Sequence, residues 1–124
     1  MLPASHDRAY QDFLTLLTEF KEVLAKISTN PIDKSIAREF GNLSGWYQAH
    51  IARMSDRSLE PAIASRWQSV QTEIRREFKL LSTDILFLAS ARQIATKQKR
   101  IKSIEERLTK LIGYCQIMLS KDNN

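Results

Sequence analysis

Three glycines and three prolines in 124 residues are too few turn formers for an all-β or loop-rich chain. The single cysteine, Cys115, has no internal partner, so no disulfide framework exists. That fits a reducing compartment, and a cytoplasmic location is expected. The opening residues, Met1-Leu2-Pro3-Ala4-Ser5-His6-Asp7, lack the basic and apolar regions of a signal peptide. Apolar runs end after a few residues, far short of a span, so no membrane partner is expected. The chain holds no His-Glu-x-x-His, no Cys-x-x-Cys, no Glu-x-x-His, no glycine-rich phosphate loop and no nucleophile motif. Its two histidines, His6 and His50, fall on different predicted helices with no carboxylate at ligand spacing. These absences argue against an enzyme, and no metal or other cofactor is expected.

What is present is helical periodicity. From Pro61 to about residue 93 one helix is predicted, with Ile63, Trp67, Val70, Ile74, Phe78, Leu81, Ile85 and Leu88 on one face. Nothing after Pro61 breaks it, because it contains no further proline and no glycine. A second helix is predicted over about 6–27, with a seam of Tyr10, Phe13, Leu17, Phe20, Leu24 and Ile27. Ser5 is its expected N-cap, and Asp7 suits the positive end of the dipole. A third spans about 31–55, opened by Asn30 as cap and Pro31 in the first turn, with Asp33 following. Its seam is Ile36, Phe40, Leu43, Tyr47, Ile51 and Met54.

The middle of that helix, Gly41-Asn42-Leu43-Ser44-Gly45, is the weakest helical stretch in the chain. It leaves a kink open against a continuous helix, and the glycine spacing admits close approach of a neighbour. Ser58 is the expected cap before Pro61. The last helix is predicted over about 97–119, with Ile101, Ile104, Leu108, Leu111, Cys115 and Met118 as its seam. Its link from the long helix, near Gln93-Ile94-Ala95-Thr96, has no glycine or proline, so one continuous helix is the structural alternative. Four seams joined by short links predict one domain over 1–124, an all-α antiparallel four-helix bundle with a long third helix. Wide apolar stripes can seal one bundle or pair two, which leaves a homodimer open.

Cys115 lies on an apolar seam and reads as a buried small hydrophobe rather than a reactive thiol. Trp46 and Tyr47 are adjacent, so both cannot face one seam; the outward one is a candidate partner anchor. The net charge of +5 is concentrated. Between Arg92 and Lys110 stand seven basic residues (Arg92, Lys97, Lys99, Arg100, Lys102, Arg107 and Lys110) against Glu105 and Glu106. The remaining twelve basic and twelve acidic residues cancel. Positive charge at the start of a helix opposes the dipole, so folding alone does not ask for it. These seven are the candidate partner-binding residues, for an acidic protein. Nucleic acid is the alternative ligand, although no helix-turn-helix and no aromatic interleaving accompanies the basic run.

Three stretches carry a family resemblance. Phe87-Leu88-Ala89-Ser90-Ala91-Arg92-Gln93, Ser103-Ile104-Glu105-Glu106-Arg107-Leu108 and Leu111-Ile112-Gly113-Tyr114-Cys115 resemble the PatD family of cyanobacterial heterocyst frequency control proteins. Tyr10-Gln11-Asp12-Phe13 and Trp67-Gln68-Ser69-Val70-Gln71-Thr72-Glu73-Ile74 fit the same pattern more loosely, whereas the stretch 32–54 adds nothing. The resemblance covers about half the chain. It implies a small helical, non-enzymatic cytoplasmic protein that limits heterocyst frequency and acts on cell division. It further implies binding of the tubulin-like division protein FtsZ and promotion of its assembly. No binding motif carries over residue by residue, so the choice of surface rests on the charge map.

Overall fold

A computed structural model describes residues 2–27 and 35–120, apart from the side chain of Ile27. The described residues form four α-helices: α1 (Ala4–Ile27), α2 (Ser35–His50), α3 (Pro61–Ser90) and α4 (Ile94–Leu119). Around the bundle α1 packs on α2 and α4, and α3 packs on α2 and α4, leaving α1/α3 and α2/α4 as diagonals. Each neighbouring pair is antiparallel. Phe13 meets Tyr47 and Phe20 meets Phe40 across α1 and α2. Lys21 of α1 donates to Thr109 of α4, and Glu77 and Asp84 of α3 pair with Arg107 and Arg100 of α4.

The predicted seams form the core. Tyr10, Phe13, Leu17, Phe20 and Leu24 of α1 are buried, as are all six seam residues of α4. At the centre Tyr47 lies face to face on Phe78, with ring centroids 3.8 Å apart and planes 9° apart. Phe78 also meets Phe13 and Phe40, so three helices converge on one ring. The α3 seam departs from its prediction at two positions: Gln71 takes the place of Val70, and Ile63 falls outside it. It runs Trp67, Gln71, Ile74, Phe78, Leu81, Ile85, Leu88, all buried, and Val70 and Ile63 are only half-buried.

Gln71 can occupy a core position because its polar atoms are satisfied there. Its Oε1 accepts from the Tyr10 hydroxyl at 2.7 Å and its Nε2 donates to the Ile51 carbonyl at 2.9 Å. The Trp67 indole N–H donates to the same Tyr10 hydroxyl at 2.9 Å. This chain ties α1, α3 and the end of α2 into one register.

Helix ends depart from expectation in several places. The Asp7 amide donates to the Pro3 carbonyl at 2.9 Å, so α1 begins before Ser5, which lies within the helix and does not cap it. The predicted α2 start at Asn30-Pro31, with Asp33, lies outside the described residues. Its end comes earlier than predicted, at His50; Ile51 is still buried in the following turn, and Met54 is half-buried beyond it. The helix is continuous through Gly41 and Gly45, which are both exposed. No atom lies within 4 Å of a Cβ built on either glycine, so no neighbour approaches closely there.

Glu60 rather than Ser58 precedes α3, and its carbonyl accepts from the Ala64 amide at 2.8 Å with Pro61 in the first turn. The third link comes about three residues earlier than predicted: α3 ends at Ser90 and α4 begins at Ile94. The Lys97 amide already donates to the Gln93 carbonyl at 3.0 Å. With no glycine or proline after Gln93, nothing delays the helix start. No described helix is long and apolar enough to cross a membrane.

Candidate functional site

The seven basic residues sort into three groups once folded. Arg107 turns inward. Its side chain is 27% exposed, and Nη1 lies 3.2 Å from Oε1 of Glu77, a carboxylate only 1% exposed. Its Nε lies 3.7 Å from Asp84 Oδ2, an ion pair beyond hydrogen-bond reach, and has no hydrogen-bond partner of its own. Arg100 stands one heptad earlier on α4, 3.6 Å from Asp84 Oδ1, with its guanidinium 4.6 Å above the Phe87 ring.

Glu77 and Asp84 are also seven residues apart, which puts each pair on one edge of its helix. Ser103 donates to Asp84 Oδ2 at 2.8 Å, and Arg76 reaches Glu77 Oε2 at 3.3 Å. Arg100 and Arg107 therefore hold α3 against α4. Sequence reasoning grouped them with the partner-binding cations because it did not place Glu77 and Asp84 in the core. The matched seven-residue spacings were the signal available.

Lys102 and Lys110 form a second group. Both are exposed, and with Lys21 they line an open groove between α1 and α4 that also holds Glu105, Glu106 and Thr109. Two carboxylates among three lysines leave little net field there.

The third group sits at the end of the molecule. Arg92 and Lys99 are exposed, and Lys97 is half-buried. Because α4 starts at Ile94, Lys99 and Arg100 lie past its first turn, and the dipole argument applies only to Lys97. From Ile85 to Ile104 the chain has five basic residues and no acidic one. Amid that charge three large apolar side chains face solvent: Leu86 at 69%, Phe87 at 47% and Ile94 at 61% exposure. Ile94 is in heptad register with Ile101, Leu108 and Cys115, all buried. The seam thus runs one position past the last residue the bundle covers. Singly exposed apolar residues are ordinary, whereas three at one basic tip make it the candidate contact surface.

Elsewhere the polar groups are structural. His6 is buried edge-on to Trp67, its ring centroid 5.9 Å away, and Nε2 lies 3.1 Å from the Ser55 carbonyl, which can only accept. The Nδ1 atom is buried without a hydrogen-bond partner. Burial pushes the Cys115 thiol up to about 12, far from the range of a reactive thiolate. No three metal-ligating side chains cluster among the described residues.

Trp46, the outward member of the aromatic pair, is half-buried. It lies against Phe13 at 5.9 Å and His50 at 4.8 Å between ring centroids. It also lines an open groove between α1 and α2 with Leu16, Val23, Glu19 and Glu39. Compared with protein-family models, curated proteins and solved structures, the chain matches none.

Proposed function

We propose that this protein is a non-enzymatic regulator of heterocyst frequency and cell division that binds FtsZ and promotes its assembly. Its resemblance to the PatD family supplies that identity. The observation that carries the choice of surface is the tip of the α3–α4 hairpin, which holds Arg92, Lys97 and Lys99 together with exposed Leu86, Phe87 and Ile94 and has no acidic residue from 85 to 104. Such a tip suits an acidic protein partner: the charge gives long-range attraction and the apolar side chains give contact area. Arg100 contributes through its face on Phe87, and Arg107 serves the fold.

Co-sedimentation with polymerising FtsZ at low and moderate salt tests the reading, with duplex DNA as a control. The protein is expected to pellet with polymers, and Arg92→Glu/Lys97→Glu/Lys99→Glu to abolish pelleting without unfolding the chain. Arg100→Glu is left out because it would set a carboxylate beside Asp84. A protein that ignores FtsZ but retards DNA in a salt-sensitive way would replace this reading with a phosphate-binding one.

A further inference from the structure

We infer that a second copy of this chain docks head to tail, the basic apolar tip of one molecule entering the acidic groove between α1 and α2 of the next. The inference goes beyond the FtsZ reading and stands whether or not FtsZ binds. Its two halves are complementary in charge and polarity. The tip is the outer end of a helical hairpin, and it carries Leu86 and Ile94, exposed at 69% and 61%, along with the exposed cations Arg92 and Lys99. The groove is concave, floored by Leu16, Val23 and the half-buried Trp46, with Glu19 and Glu39 among its lining residues.

A half-buried tryptophan in an apolar depression is the kind of residue that dominates interface energies. Two tips cannot pair symmetrically, because the 85–104 stretch carries five basic residues and no acidic one, so like charges would meet. The contact that remains is heterologous, tip into groove. Groove and tip belong to different helix pairs, so one molecule can offer both at once. Assembly then continues as a chain or closes as a ring.

The test uses two full-length variants, each with one half disabled. Leu86→Ser/Ile94→Ser removes the apolar tip, and Glu19→Lys/Glu39→Lys reverses the groove. Sedimentation velocity across a concentration series is the readout, and circular dichroism melting confirms that both variants fold. The parent is expected to gain mass with concentration, less so at high salt. Each variant alone is expected to associate at least about tenfold more weakly.

An equimolar mixture is expected to stop at a one-to-one dimer, because one intact tip meets one intact groove and both outer ends are dead. Combining Arg92→Glu/Lys99→Glu with Glu19→Lys/Glu39→Lys in one chain should restore self-association, whereas Arg92→Glu/Lys99→Glu alone should not dock on the parent groove. A parent that stays monomeric overturns the inference. So does a variant that associates as well as the parent, and so does a mixture that stays monomeric.

Discussion

Burial sets the titration of three side chains at the centre of the bundle. Desolvation pushes Tyr47 up to about 12 and the Cys115 thiol up to about 12. It raises Tyr10 further still, against the lowering effect of the hydrogen bond from Trp67. All three are acids that are neutral when protonated, and their folded values lie above the unfolded ones. The unfolded chain therefore releases protons first as pH rises. Their stabilising contribution is complete below about pH 9; that of Cys115 and Tyr47 is lost between about pH 9 and 12, and that of Tyr10 at still higher pH. Each group adds a slope of up to about 1.4 kcal/mol per pH unit inside that window. Urea melts at pH 8, 10 and 11 should show a steep alkaline fall in the midpoint. Cys115→Ala should flatten the part that begins nearest pH 9, and an unchanged slope would remove the thiol from the account.

The α3–α4 hairpin is held by a ladder whose rungs differ in worth. Arg107 neutralises Glu77, which is 1% exposed, whereas Arg100 meets Asp84 with its own side chain 37% exposed. Removing one partner of a buried pair strands the other charge and costs about 3–5 kcal/mol, while exposed pairs contribute about 0–1 kcal/mol. Arg76 still reaches Glu77 from the solvent side, so Arg107→Leu is expected at the lower end of that range. Arg100→Leu should cost under about 1 kcal/mol. Pairing Arg107→Leu with Glu77→Leu should restore most of the loss, and a double-mutant cycle of urea midpoints measures the coupling.

The same hairpin shows what was readable in advance. The apolar steps of α1 and α4 were legible because every seam position there is apolar and period alone finds them. In α3 the seam passes through Gln71, and Glu77 and Asp84 lie beside it, so an apolar pattern shifts onto Val70 and misses the buried carboxylates. Their burial depends on partners as far as 30 residues away, information that no local window holds. Ile94 was missed for a related reason: in heptad register but beyond the covered end, it read as part of a link.

At the scale of the whole molecule the exposed cations Arg92 and Lys99 sit at one end of an elongated body, since α3 spans 30 residues, about 45 Å. An end-loaded positive field turns the tip toward an acidic surface before contact, and this acts chiefly on the association rate. Stability does not depend on it, because Arg92 and Lys99 face solvent and the ladder uses Arg100 and Arg107. Reversing Arg92 and Lys99 to Glu should therefore leave the thermal midpoint within about 2 °C of the parent, as for surface substitutions away from packed features. On the proposed reading the same change should slow association with FtsZ polymers about tenfold at low salt, a gap that closes as the screening length falls toward about 3 Å in molar salt.

Lys110→Glu is the internal contrast. It lies in the α1–α4 groove where Glu105 and Glu106 already offset Lys21 and Lys102, so it should change the rate far less. Stopped-flow light scattering across a salt series separates the two sites. The double reversal changes net charge by 4 and Lys110→Glu by 2, so slowing by half as much on a logarithmic scale would mean that total charge, not its place at the tip, governs the encounter.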